Sequence, residues 1–460
     1  MAQNDIQVVV IGAGPGGYVA AVRAAELGLK TACVEKMPTL GGTCLNVGCI
    51  PSKSLLSSSE HYEWMSKSAP ENGIIATNLS FDFAKMQQRK EGVVKSLVDG
   101  VAGLFKTHGV ERINGEARFI DPNTIQVNDK KITSDNFIIA TGSQSTELRM
   151  LPFDEKQIIS STGALALKEV PKRLLVIGGG VIGVEMASVF QRLGSKVTII
   201  EMLDSIIPMM DPLISRTLMQ SLKKMGMEFY LGAEVTGAKI ADEIELIVKY
   251  EKKELKFPGD AVLVSVGRRP YTTGLGLEVA NIPVTPKGFI AIDNNLRAGH
   301  SHIYAIGDVI EGPMLAHKAS SEGVAAAEMI AGKLQAKVNY VSIPNVVYTH
   351  PEVASVGLTE AEAKAAGLIP MVGTAYFRGN ARARCIGDTD GLVKIVGDTA
   401  SGRLIGMHII GPEASEIIAE GMIALNTKAT IVDIAYACHA HPTLSESVME
   451  AAQNCLRTKK

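Results

Sequence analysis

Gly12-Ala13-Gly14-Pro15-Gly16-Gly17 is the stretch that decides the fold, because it lies between an apolar run of strand length and a helical pattern. In such a turn Gly12 permits the sharp change of direction, Gly14 lets the backbone approach a pyrophosphate, and Gly17 packs the helix on the strand. The first turn of the helix has unpaired N–H groups, which bind phosphates. Since glycine turns are common, the stretch alone is weak evidence for a dinucleotide site. The residues around it must support that interpretation.

The sequence on both sides of this turn completes a Rossmann pattern. Ile6–Ile11 forms the strand, the helix runs to about Leu27, and Gly28 is a natural helix stop. A second short strand, Thr31–Val34, ends on Glu35. An acidic residue about 20 positions after the glycines accepts ribose hydroxyls. We therefore expect this segment to bind a dinucleotide.

A second copy of the pattern begins 166 positions later, at Gly178-Gly179-Gly180-Val181-Ile182-Gly183. An apolar run at 174–177 precedes it, and a helix and a short strand from Val197 to Glu201 follow. The same offset relates six pairs: Gly12 and Gly178, Gly14 and Gly180, Gly17 and Gly183, Gly28 and Gly194, Lys30 and Lys196, and Glu35 and Glu201. Chance glycine clusters would not keep register over two dozen positions, so we expect two dinucleotide sites.

A further informative stretch, Gly41–Lys53, contains two of the six cysteines, Cys44 and Cys49. In an ideal helix residues at this spacing lie about 8–9 Å apart. A disulfide needs Cα atoms about 4.4–6.8 Å apart. A disulfide between the two cysteines therefore requires a distorted backbone, which the glycines of the stretch permit.

The residues after Cys49 favour a reactive thiolate. Pro51 suits the first turn of a helix that begins just after Cys49. The N–H groups of that turn would lower the pKa of Cys49. These properties indicate a redox-active dithiol. From the residues alone, two buried structural thiols or part of a zinc site remain alternatives, although the stretch lacks a second nearby Cys/His pair.

Length and composition exclude several classes of protein. A chain of 460 residues is too long for one core and suggests about three domains. The formal charge of −2 gives no general attraction for nucleic acid or anionic membranes, and no apolar run is long enough to span a bilayer. The N-terminus, Met1–Asp5, enters an apolar strand without a basic segment, so we expect no signal peptide. Six cysteines in so long a chain indicate a reducing compartment.

The segments between and after the two patterns predict helices first and strands later. Residues 54–108 are helical in pattern, with a long amphipathic helix at 81–107, and short strands fill 113–140. Three apolar strands (137–140, 262–266 and 302–306) end in small or polar residues that suit a ligand site. The last of them leads to Gly307-Asp308, where the Asp could bind a sugar or ribityl hydroxyl, or cap a helix. Strand-like runs at 346–356, 371–377, 392–396 and 404–410, with helices at 359–366 and 412–427, predict a further α+β domain.

The C-terminal segment contains a candidate catalytic pair, His441 and Glu446. Pro442 restricts His441 to an extended conformation. Glu446 could orient and charge the imidazole, as a general base in a thiol reaction requires. A capping box between Thr443 and Glu446 is the structural alternative. A metal pair of His439 and His441 lacks a third ligand.

Taken together, these motifs resemble the pyridine nucleotide–disulfide oxidoreductases over the whole chain. The motifs that carry the resemblance are the two glycine patterns with Glu35 and Glu201, the stretch GGTCLNVGCIPSK at 41–53, Tyr304-Ala305-Ile306-Gly307-Asp308, and His441-Pro442-Thr443-x-x-Glu446. The resemblance implies an α/β fold with two Rossmann-like domains and a C-terminal α+β dimerisation domain. It assigns residues 1–148 and 276–345 to FAD binding, 149–275 to NAD binding and 346–460 to the interface.

Within this family the sequences Ile50-Pro51-Ser52-Lys53 and Cys438-His439-Ala440-His441 are most similar to those of the dihydrolipoamide dehydrogenases. Glutathione reductases share the His-Pro-Thr ending but use NADPH, and Glu201 would repel a 2′-phosphate. Mercuric reductases and large thioredoxin reductases carry a C-terminal cysteine pair, whereas only Cys455 lies near this end. A glutathione-reductase-like enzyme and a non-catalytic FAD- and NAD-binding redox sensor remain the alternatives.

The resemblance also implies roles for individual residues. Cys44 would be the interchange thiol, Cys49 the charge-transfer thiol beside the flavin, and His441 with Glu446 the base. Further positions match FAD contacts, namely Gly12, Gly14, Gly17, Glu35, Lys53, Gly115, Thr141, Gly142, Ser143, Asp308, Met314, Leu315, Ala316 and His317. Others match NAD contacts, namely Gly178, Gly180, Gly183, Glu201, Val235 and Gly267, and Glu185 would pair with Lys53.

The implied activity is oxidation of protein-bound dihydrolipoyl groups with FAD and NAD⁺, and no metal is implied. The partners would be the lipoyl domains of 2-oxo acid dehydrogenase complexes or the glycine cleavage H protein. The enzyme would be a homodimer in which His441 of one chain meets Cys44 of the other. The expected location is the bacterial cytoplasm or, after removal of a transit peptide, the mitochondrial matrix.

Overall fold

The computed structural model describes residues 5–241, 243–333 and 337–457. Residues 1–4, on which the expectation about a signal peptide partly rests, lie outside the described residues. The chain forms two compact units, each built from three segments. Unit 1 comprises Met1–Ser54, Gln87–Thr146 and Gly267–Val338, and unit 2 comprises Leu55–Met86, Glu147–Val266 and Asn339–Lys460.

The helices and strands follow the expected alternation in the first half of the chain. They are β1 (Val8–Ile11), α1 (Pro15–Glu26), β2 (Thr31–Glu35), α2 (Gly42–Val47), α3 (Cys49–Lys67), α4 (Phe83–His108), β3 (Glu111–Asn114), β4 (Ala117–Asp121), β5 (Thr124–Val127), β6 (Lys130–Thr133), β7 (Asn136–Ile139), β8 (Ser143–Ser145), β9 (Ile158–Ile159), α5 (Ser161–Ala166), β10 (Arg173–Ile177), α6 (Val181–Arg192), β11 (Lys196–Glu201), α7 (Pro212–Lys224) and β12 (Glu228–Leu231).

Strands dominate the next part, and helices return near the C-terminus. The elements are β13 (Glu234–Ile240), β14 (Ile244–Tyr250), β15 (Lys253–Gly259), β16 (Ala261–Val264), β17 (Arg268–Pro270), β18 (Ile303–Ala305), α8 (Ala316–Ile330), β19 (Asn345–Val347), β20 (Glu352–Gly357), α9 (Glu360–Ala365), β21 (Pro370–Tyr376), α10 (Ala381–Ile386), β22 (Leu392–Asp398), β23 (Leu404–Gly411), α11 (Ala414–Thr427), α12 (Ile431–Tyr436) and α13 (Glu446–Arg457).

Unit 1 is organised around a parallel five-stranded sheet in the order β18-β7-β1-β2-β3. Every residue of β1 and β2 is buried, as expected for strands covered on both faces. Helix α8 packs closely on α1 at Gly323. An added Cβ there would lie only 2.5 Å from the carbonyl oxygen of Gly16, so the approach requires glycine. A three-stranded antiparallel sheet, β4-β5-β6, and the pair β8-β17 complete the strands described for this unit.

Unit 2 repeats the same parallel sheet in the order β12-β11-β10-β16-β9. The register repeats as well, since Val8 pairs with Thr31 in unit 1 and Leu174 pairs with Val197 in unit 2, each 166 positions later. An antiparallel sheet, β13-β14-β15, accompanies it. The two predicted Rossmann folds are therefore confirmed.

The C-terminal part of unit 2 is the predicted α+β domain. Its antiparallel sheet has the order β19-β20-β23-β22-β21, and its core includes residues of α11, α12 and α13. The run at 346–356 forms two antiparallel strands, β19 and β20, rather than one. Pro351 lies in the connection, where its missing N–H cannot contribute to a ladder.

Candidate active site and dinucleotide sites

The first glycine turn has a backbone that only glycine tolerates at two points. Gly12 has a φ of 100°, and a Cβ there would lie 2.5 Å from the carbonyl oxygen of Ala140. A Cβ at Gly17 would overlap the carbonyl oxygen of Gly12. Gly14 differs, because its φ is −68° and a Cβ would approach only Gly42, at 4.0 Å. The space beside Gly14 therefore fits a ligand, at the N-terminus of a helix that no side chain caps.

Glu35 closes this site by binding the turn itself. Its Oε2 accepts a hydrogen bond from the Ala13 N–H at 2.8 Å, and its Oε1 accepts one from the Met37 N–H at 2.9 Å. A carboxylate oxygen can accept more than one hydrogen bond, so Glu35 can also accept ribose hydroxyls.

The second glycine turn has the same geometry. Gly178 has a φ of 103°, and a Cβ at Gly180 would meet no atom within 4 Å. Glu201 accepts hydrogen bonds from the N–H groups of Gly179, at 2.6 Å, and Leu203, at 2.7 Å. These are the donors 166 positions after Ala13 and Met37. Both turns thus fit a dinucleotide pyrophosphate and ribose.

The helix is broken between the two cysteines. Helix α2 ends at Val47, and Gly48 has a φ of −142° and a ψ of −116° before α3 begins at Cys49. A Cβ at Gly48 would lie 2.8 Å from the carbonyl oxygen of Thr43, so the break requires glycine. This is the distorted backbone that a disulfide between Cys44 and Cys49 requires.

Both cysteines are free thiols in the structure, and their side chains interact. A hydrogen bond with Cys49, together with burial, raises the pKa of Cys44, and Lys53 acts in the opposite direction. Cys49 lies at the N-terminus of α3, where a negative charge is stabilised. The reduced pair is therefore arranged to keep its proton on Cys44.

The dithiol segment is packed directly on the first glycine turn. Gly41 donates a hydrogen bond to the carbonyl oxygen of Ala13 at 2.9 Å. Gly42 has a φ of 57°, and a Cβ there would lie 2.6 Å from the Cα of Gly14. This contact links the redox pair to the site expected for FAD.

A polar chain in unit 1 includes one residue that the sequence analysis missed, Arg268. Asp308 accepts a hydrogen bond from the Ser143 hydroxyl at 2.6 Å. Arg268 donates to that hydroxyl at 2.7 Å and to the carbonyl oxygen of Ser143 at 2.8 Å. Burial lowers the pKa of Arg268, and the charges of Asp308 and Cys49 oppose this shift. Arg268 therefore brings a positive charge close enough to influence the dithiol.

A fully buried ion pair, Lys318 and Glu322, was also missed. The Lys318 Nζ lies 3.2 Å from the Glu322 carboxylate, and both side chains are inaccessible to solvent. Glu322 accepts a hydrogen bond from the Gly307 N–H at 2.7 Å, and Lys318 donates to the Gly307 carbonyl at 3.1 Å. The pair thus positions the turn that contains Asp308. Its i, i+4 spacing is visible in the sequence, but its burial is not.

The other residues expected to contact FAD lie in turns of unit 1. Gly115 has a φ of 151°, the Thr141 hydroxyl donates to the Tyr271 carbonyl at 2.7 Å, and Gly142 accepts from the Tyr271 N–H at 2.9 Å. The Tyr271 ring lies beneath the Lys36 ammonium at 3.7 Å, a contact that the sequence analysis did not anticipate. The segment Met314, Leu315, Ala316 and His317 leads into α8, with Leu315 at the N-cap.

The residues expected around NAD lie in several segments of the chain. Val235 is buried on β13, and Glu185 is buried on α6 and accepts a hydrogen bond from the Tyr348 N–H at 2.9 Å. Gly267 belongs to unit 1, where its carbonyl accepts from the Thr146 N–H at 3.0 Å. The pairing of Lys53 with Glu185 stays a prediction.

His441 and Glu446 form the expected pair in unit 2. The His441 Nδ1 lies 3.0 Å from the Glu446 Oε1, and the His441 side chain is 71% exposed. Glu446 also accepts a hydrogen bond from the Thr443 N–H at 2.8 Å. This bond and the one to His441 lower the pKa of Glu446. The Thr443 hydroxyl donates instead to the Ala440 carbonyl, so only half of a capping box forms, and Glu446 contacts both His441 and Thr443.

The neighbouring histidine has a different partner. The His439 Nε2 lies 3.0 Å from the Glu420 carboxylate, and its Nδ1 lies 3.0 Å from the Ala437 carbonyl. Across the described ranges, no group of three or more His, Cys, Asp or Glu residues could hold a metal ion. The pair His439 and His441 therefore acquires no further ligand from that part of the chain.

Comparisons with known proteins match nearly the whole chain. The family model described as pyridine nucleotide-disulphide oxidoreductase matches residues 6–323, and the dimerisation domain of the same family matches residues 343–452. Dihydrolipoyl dehydrogenase from Trypanosoma brucei brucei is 47% identical over 98% of this chain and 97% of its own length. The mitochondrial dihydrolipoyl dehydrogenase of Schizosaccharomyces pombe is also 47% identical, over 97% of this chain and 89% of its own length. The crystal structure of LpdA from Mycobacterium tuberculosis superposes with a TM-score of 0.90 at 25% identity, covering 97% of this chain and 99% of that one.

Proposed function

Because the chain belongs to the pyridine nucleotide-disulphide oxidoreductase family, we propose that it is a dihydrolipoyl dehydrogenase, which oxidises dihydrolipoyl groups with FAD and NAD⁺. The observation that carries the proposal is the dithiol segment. Two interacting thiols flank a glycine-enforced break, and the same segment packs on the glycine turn of the first dinucleotide site. A structural thiol pair would need neither feature.

The reaction begins on the Cys44–Cys49 disulfide. His441, oriented by Glu446, accepts the proton of one dihydrolipoyl thiol, and the resulting thiolate attacks the Cys44 sulfur. The Cys44–Cys49 bond breaks, and Cys49 leaves as a thiolate at the helix N-terminus. After His441 has released the first proton to solvent, it transfers the proton of the second dihydrolipoyl thiol to the departing Cys44 sulfur, while the second substrate sulfur attacks the substrate sulfur joined to Cys44 and closes the lipoyl ring. The raised pKa of Cys44 favours its reprotonation in this step.

The two dinucleotides, when bound, would accept the two electrons of the reduced dithiol. Bound FAD would supply the two-electron redox chemistry that connects the dithiol to NAD⁺. The residues that would hold FAD are Gly12, Gly14, Gly17 and Glu35, with Asp308 and Ser143 near its ribityl chain. Gly178, Gly180, Gly183 and Glu201 would hold NAD⁺. The carboxylate of Glu201 favours free ribose hydroxyls over a 2′-phosphate, which supports NAD⁺ over NADP⁺.

The domain assignment follows from these roles. FAD binding falls to residues 1–148 and 276–345, NAD binding to 149–275 and the interface to 346–460. The position of β18 beside β7 in the first sheet supports joining the central segment to the FAD site.

The protein is a homodimer on this reading, and each active site uses both chains. The dimerisation-domain match and several exposed apolar side chains on unit 2, Ile423, Val432 and Tyr436, support a symmetric contact. His441 of one chain would meet Cys44 of the other. Mixing Cys44→Ser protein with His441→Gln protein, under conditions that exchange subunits, should give activity that neither parent has. No recovery after confirmed exchange would place both residues in one chain's site.

The partners and compartment follow from the substrate. Lipoyl groups occur on carrier domains of 2-oxo acid dehydrogenase complexes and on the glycine cleavage H protein, so these are the proposed partners. Six cysteines in a chain of 460 residues are too few for a disulfide scaffold, which suits the bacterial cytoplasm or the mitochondrial matrix. In the part of the chain that the structure describes, no helix has the length and apolarity to cross a membrane.

A steady-state assay tests the function directly. The purified protein with bound FAD should reduce NAD⁺ when free dihydrolipoamide is supplied, and NADP⁺ should be a poor acceptor. Preference for NADPH with oxidised glutathione would favour the glutathione-reductase-like alternative. Binding of FAD and NAD⁺ without turnover of either substrate pair would favour the redox sensor.

A further inference from the structure

A compact basic surface borders the catalytic turn of unit 2. The segment 376–386 carries three arginines, Arg378, Arg382 and Arg384, and no acidic residue. All three arginines are exposed, together with Tyr376. We name these four residues the arginine surface.

The arginine surface is attached to the turn that carries His441. Asn380, which lies between the arginines in sequence, is buried and caps α10 by accepting a hydrogen bond from the Ala383 N–H at 3.0 Å. Its side-chain amide donates to the Thr443 carbonyl at 2.9 Å and to the Ser447 hydroxyl at 3.1 Å. Thr443 in turn binds Glu446, the partner of His441. The arginines therefore flank a residue bonded directly to the catalytic turn.

Among the described residues of unit 2, no ion pair neutralises the positive charge of this surface. Arg384 donates to the Arg378 carbonyl, and the Arg378 guanidinium lies 4.8 Å from the centre of the Tyr376 ring. Within the described ranges, no carboxylate forms an ion pair with any of the three guanidinium groups. The nearest acidic residues in sequence have other partners, since Asp388 lies 3.5 Å from His350 and Asp390 lies 4.0 Å from Lys224.

Three arginines without an ion pair among the described residues make this surface positive, although the formal charge of the whole chain is −2. Arginine combines a fixed charge with five donors, which suits recognition of carboxylates on a protein surface. Rim charges of this kind raise the rate of encounter and guide orientation more than they raise final affinity. The dihydrolipoyl group arrives on a carrier protein, which must approach closely enough for its thiols to reach His441.

We infer that the arginine surface is the docking site for an acidic surface of the lipoyl-bearing carrier, next to its modified lysine. This inference rests on the proposed function. Its place is beside the base that takes the substrate proton, so docking there brings the dihydrolipoyl arm to the reacting residues. A nucleic acid is a poorer occupant, because the surface is short and the chain as a whole is slightly acidic.

The test compares substrates that differ only around the lipoyl group. Two dihydrolipoyl-lysine peptides of equal length carry glutamates or lysines beside the modified residue, and free dihydrolipoamide is the third substrate. The variant is the triple substitution Arg378→Gln, Arg382→Gln and Arg384→Gln. The control is Lys249→Gln, Lys252→Gln and Lys253→Gln, which removes the same charge from exposed positions at the β14–β15 hairpin.

Wild-type protein should use the acidic peptide with a kcat/KM about ten times that for the basic peptide, and added salt should reduce this preference. The arginine variant should lose the preference and its salt dependence, and its kcat/KM for free dihydrolipoamide should be unchanged. The lysine control should behave as wild type on all three substrates.

Equal use of both peptides by wild-type protein would overturn the docking inference alone. A loss of the dimer, or an equal loss on all three substrates, in the arginine variant would also overturn it, because the surface would then maintain structure. Failure of wild-type protein to oxidise free dihydrolipoamide would instead contradict the proposed function.

Discussion

The two dinucleotide sites have nearly the same backbone and different surroundings. Gly12 and Gly178 have φ angles of 100° and 103°, and Gly14 and Gly180 share an extended conformation with ψ of −179°. Even the hydrogen bonds to the glutamates repeat at the offset of 166 residues. The local sequence therefore determines the turn wherever it occurs.

Both turns are packed by a following segment, since Gly41 donates to the Ala13 carbonyl and Ile207 donates to the Gly179 carbonyl, but the two sites differ in what approaches Gly14 and Gly180. The dithiol segment contacts Gly14 through Gly42, and α8 approaches Gly16 so closely that a Cβ there would lie 3.0 Å from the Ala319 carbonyl oxygen. In the second site a Cβ at Gly180 would meet nothing within 4 Å, and the position equivalent to Gly16 is Ile182. The same turn is therefore more enclosed in the first site than in the second. We expect the first site to retain FAD and the second to exchange NAD⁺.

The largest effect should come from removing the sulfur of the dithiol that the substrate attacks, while the first dinucleotide site stays intact. Cys44→Ser should lower NAD⁺ reduction by dihydrolipoamide at least about a thousandfold, because the attacked sulfur is gone. FAD content and NADH-dependent reduction of a dye should remain, since both sites keep their glycine turns. Cys385→Ser, an exposed cysteine elsewhere, is the control and should keep full activity. Loss of the dye reaction in Cys44→Ser would contradict the separation of the two functions.

A matched pair of alanines tests the sites against each other. Gly14→Ala and Gly180→Ala add the same methyl group where the backbone tolerates it, so the effect reports the space that a ligand needs. We expect Gly14→Ala to lower the FAD content of purified protein, measured by flavin absorbance. Gly180→Ala should raise KM for NAD⁺ about tenfold, or roughly 1.4 kcal/mol, with FAD content unchanged. An unchanged KM in Gly180→Ala would show that NAD⁺ does not lie beside this glycine.

The choice of nicotinamide cofactor should depend on one carboxylate. Glu201→Arg removes the repulsion of a 2′-phosphate, so the ratio of kcat/KM for NADP⁺ to that for NAD⁺ should rise about tenfold or more. Glu201→Gln, which removes the charge and keeps an acceptor, should give a smaller rise. A wild-type preference for NADP⁺ would contradict the assignment of the second site.

The smallest expected effect concerns the buried pair below Asp308. Removing one partner would leave a buried charge and destabilise the fold by about 3–5 kcal/mol, so the informative variant is the double substitution Lys318→Met and Glu322→Gln. It keeps an acceptor for the Gly307 N–H and removes the donor to its carbonyl. FAD dissociation should become a few times faster.

The control for this variant is another buried ion pair, Lys394 and Asp211 in unit 2, replaced as Lys394→Met and Asp211→Asn. It should leave FAD dissociation unchanged. Equal loosening by both double variants would indicate a general loss of stability rather than positioning of Asp308.

Patterns local in sequence predicted most of the fold. The glycine turns, the offset of 166 and the apolar strands predicted two sheets with equivalent register, and the structure confirms them. The requirement for a broken helix near the cysteines followed from disulfide geometry alone. The single strand expected at 346–356 was wrong, because the pattern of apolar residues does not reveal the turn at Pro351.

Contacts between distant residues could not be predicted. Arg268 binds a serine 125 positions earlier, and Asn380 binds the Thr443 carbonyl 63 positions later. Lys318 and Glu322 have the spacing of an ordinary surface pair, and only packing shows that they are buried. From sequence alone a charged side chain is expected to be exposed, because its buried partners are not known.

The central claim is that the dithiol delivers electrons to a cofactor retained in the first site, and that the second site then exchanges NAD⁺. An anaerobic titration of the purified, desalted protein tests it in two steps, with flavin absorbance as the measurement. Dihydrolipoamide should change the flavin spectrum before any NAD⁺ is present, by a long-wavelength charge-transfer band from the Cys49 thiolate or by bleaching of the flavin, and later addition of NAD⁺ should restore the oxidised spectrum. A flavin spectrum that dihydrolipoamide leaves unchanged, or a flavin that is lost on desalting, would contradict the account.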